Sequence, residues 1–76
     1  MFMRLSDLQV KMVINVKDGK HLGTIIDAEV SETGQIIFFT VMIKHLFKRL
    51  FKNEPEVNIT INQIVKIGTD VILVDL

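Results

Sequence analysis

The side chains that could carry chemistry are few and scattered. His21 and His45 lie far apart in the chain, with no HxH or HxxxH spacing and no Cys to join them. A metal centre needs three or four converging N, O or S ligands, so none is expected, and both imidazoles are read as solvent-exposed. Asp27 and Glu29 share one face of a strand and could be read as a carboxylate pair for acid–base work. No nucleophile or positioned base joins them, which leaves a solvated strand face as the simpler reading. Gly19, Gly23, Gly34 and Gly68 fall at separate turns and bends rather than in one phosphate-cradling loop. Met1, Met3, Met12 and Met42 are dispersed, and the last two fall on strand positions where core packing accounts for them. No catalytic, cofactor or metal residue is assigned, and the chain is not expected to be an enzyme, because nothing polar converges.

One stretch stands apart. HLFKRLFK, residues 45–52, follows Lys44 and places Lys44, Lys48, Arg49 and Lys52 in one short window. The whole chain balances nine Lys and Arg against nine Asp and Glu, so the remainder is acidic and any electrostatic function is local to this stretch. As a strand, neither face of residues 46–52 would be dry. As a helix at about 100° per residue, Ile43, Leu46, Phe47, Leu50 and Phe51 gather on one side, opposite His45, Lys48, Arg49 and Lys52. A short helix is therefore expected around residues 44–52. At two or three turns it has to dock on something, most simply its own barrel, with the cations in solvent. The sharper alternative is that Lys44, Lys48, Arg49 and Lys52 also contact an anionic partner. A membrane surface ranks ahead of nucleic acid, because a few phosphate contacts bind weakly and Phe side chains buried under a helix cannot stack on bases.

The elements that would position these residues read as strands. SDLQ, with Ser6 and Gln9 at capping-box spacing, predicts one helical turn before the first strand. Met12, Ile14 and Val16 then alternate with Val13, Asn15 and Lys17, which predicts the first three inward. KDGK is a hairpin turn at Gly19. In HLGTIIDAEV the adjacent Ile25 and Ile26 break the alternation beside Gly23, and a bulge or bend is expected there. SETGQ returns the chain into IIFFTVMI, residues 36–43, whose two faces are both apolar: Ile37, Phe39, Val41 and Ile43 on one, Ile36, Phe38 and Met42 on the other. One face can line a core, and the other needs a cover. After Pro55, Val57, Ile59 and Ile61 alternate with polar residues. Thr60 and Gln63 predict a second helical turn, and VKIG leads through a GTD turn into VILVDL. The fold class is all-β, a small barrel of five or six short strands or a tight two-layer sheet, since closure removes exposed edges.

With 76 residues there is room for one domain spanning residues 1–76 and for one small core. Without Cys, apolar burial or self-association must offset the entropy of ordering the chain, and an intracellular compartment fits. MFMRLSDLQ meets Arg4, Asp7 and Gln9 before any apolar run of signal-peptide length, so export is not expected. IIFFTVMI is far short of the roughly 20 residues a spanning helix needs. A cytoplasmic location is expected, with membrane association only through the basic stretch.

The opening MRLSDLQVKMVINVKDGKHLGTIIDAEVSETGQI and the ending NQIVKIGTDVILVDL resemble the PRC-barrel family, in particular its short single-domain sporulation proteins of the YlmC/YmxH type. The most specific parts are the LSDLQ start, DGKxLG with a following Asp (Asp18, Gly19, Lys20, Leu22, Gly23, Asp27), the turn at Glu32, Thr33 and Gly34, and KIGxDVILV over residues 66–74. The resemblance implies a small β-barrel, found also in the photosynthetic reaction centre H subunit and in a ribosome maturation factor, acting as a binding and assembly module without catalytic residues. Two departures stand out. Arg49 and Lys52 stand where relatives carry the glycines of an FGLFG-like stretch, while Leu50 and Phe51 match it. Thr60 and Ile61 stand where a VIPW-like strand end has Pro and Trp. Exchanging Gly for Arg or Lys raises helix propensity by up to about 1 kcal/mol per position, which favours a local helix here.

The function expected is protein association, most simply a homodimer or the binding of another protein. Its interface would use the second face of IIFFTVMI (Phe38, Met42), the apolar side of residues 46–51 (Leu46, Phe47, Leu50, Phe51), or both. Such a patch is costly to leave in water at about 25 cal/mol per Å².

Overall fold

A computed structural model describes residues 3–43 and 56–76 of the chain. The helix expected around residues 44–52 lies outside the described residues. A short helix α1 (Leu5–Gln9) leads into six strands, β1 (Met12–Asn15), β2 (Lys20–Val30), β3 (Ile36–Ile43), β4 (Glu56–Thr60), β5 (Ile64–Ile67) and β6 (Val71–Val74). They form one sheet in the order β4-β3-β2-β1-β6-β5, antiparallel except for the parallel pair β1 and β6.

The sheet encloses a single core. Val13, Ile25, Phe39, Val41, Ile59, Ile72 and Val74 are buried together, and Ile64 and Ile67 of β5 pack against them, so all six strands face the same interior. That interior is filled. The void among Val13, Ile25, Phe39, Val41, Ile59 and Ile72 measures about 10 Å³ and is apolar, at or below the space one water requires. The barrel is thus a packed core and not a ligand cavity.

The two ends of the strand order, β4 and β5, are joined by a single 3₁₀ turn, Ile61–Gln63. The Thr60 N–H donates to Gln63 Oε1 at 2.9 Å, the reciprocal half of the capping box that the sequence predicts at this position. The first helical turn is present too, but its cap lies earlier than Ser6. Arg4 is the N-cap residue, and its N–H donates to the Asp7 carboxylate at 2.9 Å.

The hairpin turns follow from their residues. Gly19, at φ 69°, donates its N–H to Asn15 O at 2.8 Å, while Asp18 Oδ1 accepts from the Lys20 N–H. Gly34, at φ 87°, closes the β2–β3 turn by donating to Ser31 O. Both conformations lie where a Cβ is disfavoured. The expected irregularity in β2 is observed as a register shift between Ile25 and Asp27, with Ile26 as the extra residue, and as another opposite Val13 and Ile14 of β1, with Leu22 as the extra residue.

The face of β1 is a correction. Val13 is fully buried, at 0% exposure, whereas Met12 and Ile14 are half-buried and Val16 is exposed. The parallel register sets Val13 beside Ile72, whose inward direction is fixed by the buried pair Ile72 and Val74 in β6. Four apolar residues among five in MVINV leave the parity of β1 undecided until that neighbour is known. In β3, Phe39, Val41 and Ile43 are buried as expected, but Ile37 is exposed at the register shift between Glu29 and Val30, where it is the extra residue with no partner on β2. Ile61 is likewise exposed, since the 3₁₀ turn ends the β4 alternation there.

Candidate interaction surface

The strand β3 lies between β2 and β4, so the face that does not line the core can be read row by row from the ladder. Directly paired residues of an antiparallel ladder share a face. Phe38 pairs with Glu29 on one side and Thr60 on the other; Thr40 pairs with Asp27 and Asn58; Met42 pairs with Thr24 and Glu56. Thr40 Oγ1 donates to Asn58 Oδ1 at 3.1 Å, which shows that the middle row points outward as a unit. Down the centre of this surface runs an apolar line, Ile36, Phe38 and Met42. Ile36 is 42% and Met42 38% exposed, and Phe38 is half-buried. Phe38 and Met42, the two described residues expected to form an interaction surface, are therefore on one face, about 13 Å apart along the strand.

The flanks of that line are acidic. Asp27 and Glu29 follow β2 at i and i+2, about 7 Å apart, and Glu56 occupies the diagonal corner on β4. All three are exposed, and among the described residues none is in an ion pair. Asp27 Oδ1 accepts from the backbone N–H of Ala28. The solvated strand face expected for Asp27 and Glu29 is observed, with Thr24, Glu56, Asn58 and Thr60 as further members that the sequence reading did not single out. The signal for the last three was present in EVNIT, where strand alternation puts Glu56, Asn58 and Thr60 opposite the inward Val57 and Ile59. Their placement beside β3 depends on the register. Leu46, Phe47, Leu50 and Phe51, and the cations Lys44, Lys48, Arg49 and Lys52, lie outside the described residues.

Elsewhere the described surface offers little chemistry. His21 is exposed on β2, and among the described residues no group of three His, Cys, Asp or Glu could hold a metal ion. An open groove of about 740 Å³ runs between α1 and the β5–β6 turn, lined by Met3, Asp7, Val10, Lys11, Lys66 and Thr69 among others. Lys11 Nζ donates to Gly68 O at 2.7 Å and also to Thr69 O, so this cation ties the start of β1 to the β5–β6 turn. Among the described residues no helix is long and apolar enough to cross a membrane.

The chain is thus a single, largely antiparallel sheet wound on one filled core, entered through a capped turn and with its end strands joined by another. The PRC-barrel domain family model matches residues 1–76, and the chain belongs to that family. It is 42% identical over 73 residues to the probable sporulation protein YlmC of Bacillus subtilis (strain 168), covering 95% of this chain and 90% of that protein.

Proposed function

We propose that this chain is a non-enzymatic PRC barrel that works by protein association, and that it self-associates through the outer face of β3. The observation that carries this reading is the outward apolar line of β3, exposed at Ile36 and Met42 and half-buried at Phe38, none of which belongs to the buried cluster. A small barrel has no interior use for those side chains. Leaving them in water costs about 25 cal/mol per Å², which a second copy recovers. The relative's name refers to sporulation, and a part in the same process is the corresponding proposal for this chain.

Sedimentation equilibrium at micromolar protein tests the association. The chain is expected to sediment as a dimer in exchange with monomer. The exposed-to-polar pair Ile36→Thr and Met42→Thr is expected to weaken that dimer about tenfold or more, with the fold retained because neither side chain belongs to the core. A wild-type chain that is monomeric throughout would overturn the reading.

A further inference from the structure

The outer face of β3 is apolar along its centre and acidic at its borders, and this combination restricts what can cover it. Suppose two copies stacked these faces directly on one another. Asp27, Glu29 and Glu56 would then be desolvated with no cation to pair them, and a buried, uncompensated carboxylate is costly. A symmetric dimer through this face therefore needs cations delivered into the contact. Among the described cations, Lys11 is engaged with the β5–β6 turn and Lys17 with Asp75, Arg4 precedes α1, Lys20 opens β2 beside Asn15 at the end away from Asp27 and Glu29, and Lys66 lies on β5, at the far end of the strand order from β4. The sequence supplies the remaining candidates in one place: Lys44, Lys48, Arg49 and Lys52, interleaved with Leu46, Phe47, Leu50 and Phe51.

We infer that the acid-bordered apolar face formed by Asp27, Glu29, Phe38, Met42 and Glu56 is a docking surface for residues 44–52 of a second copy of this chain. The inference rests on the self-association reading and specifies its chemistry. Apolar residues of the incoming segment cover Phe38 and Met42. Its Lys and Arg, whose long stems lie along apolar surface while their heads reach polar groups, neutralise the carboxylate borders. Two-fold symmetry makes the exchange reciprocal, with each copy giving its segment and receiving the other's. The same stretch that reads as an anion binder in isolation thus has its anions on its own partner.

A charge-swap experiment on the full chain tests this. One variant carries Glu29→Lys and Glu56→Lys, the other Lys48→Glu and Arg49→Glu. Each variant alone sets like charge against like and is expected to self-associate about tenfold or more weakly than wild type in sedimentation velocity. Mixed in equal amounts, the two present a basic face to an acidic segment and an acidic face to a basic segment, and a heterodimer is expected to return. Circular dichroism shows whether each variant is folded. Independently of any substitution, wild-type association should fall as salt is raised from about 0.1 M to 1 M, where the screening length shortens from about 10 Å to 3 Å. A wild-type dimer that neither pair weakens and salt does not disturb overturns the inference and leaves self-association standing. A mixture of folded variants that stays monomeric overturns it as well. A monomeric wild type overturns both.

Discussion

Lys11 shows how one side chain can act across the chain. It sits at the approach to β1, yet its ammonium group donates to Gly68 O and Thr69 O in the turn before β6, the strand that runs parallel to β1. A parallel pair cannot be closed by a short hairpin, and this part-buried, charge-assisted contact fastens the two strand starts where no turn does so. Replacing it by Met keeps the stem and removes the donor, leaving two carbonyls to find water. Lys11→Met is expected to lower the unfolding free energy by about 1–2 kcal/mol in urea titration, with the denaturant slope unchanged. An unchanged midpoint would mean that water replaces the lysine without loss. By contrast, the exposed pair Lys17 and Asp75, at 3.4 Å, contributes little, since both groups remain largely in solvent.

At the scale of elements, the seam between β4 and β5 is the place where the barrel is held by a turn instead of by a ladder between neighbouring strands. Gln63 Oε1 accepts from both the N–H and the hydroxyl of Thr60, at 2.9 and 3.3 Å. Gln63→Ala should cost about 1 kcal/mol, and amide exchange should accelerate first in β4 and β5, before β1 and β2. Uniform acceleration across the sheet would show that the seam has no separate role. This turn was legible in the sequence from the Thr60 and Gln63 spacing, as were the hairpin at Gly19, the turn at Gly34, the irregularity at Ile26 and the two-sided apolarity of β3. Each of those signals is local. The inward face of β1 was not legible, because MVINV is apolar on both parities and the choice is made by β6, far away in sequence. The acidic border of the β3 face was legible only in pieces. Asp27 and Glu29 share a face by simple alternation, but Glu56 joins them through a ladder whose register no single strand encodes. The first cap was misplaced for a related reason: Ser6 has the right chemistry and spacing, while Asp7 reaches the Arg4 N–H and starts the helix earlier.

For the whole molecule, a completed interior and an unfinished exterior are the two facts that decide the reading. Among the described residues eight apolar side chains are buried, seven of them in one cluster, and no polar or charged group is. Exposed apolar side chains lie on several elements, Val10, Val30 and Val65 among them, and those of the outer β3 face, Ile36 and Met42, are the ones bordered by Asp27, Glu29 and Glu56. A chain of 76 residues without Cys has little stability to spare, and the proposed association would add to it. Dilution of the folded chain followed residue by residue by amide NMR tests this most directly. If the outer face of β3 is the self-association surface, the amides of Thr24, Asp27, Glu29, Phe38, Thr40, Met42 and Asn58 shift together with one concentration dependence, while those of β5 and β6 stay in place. Amides of the β3 face that hold still across the dilution, or shifts confined to the opposite side of the barrel, would contradict the account.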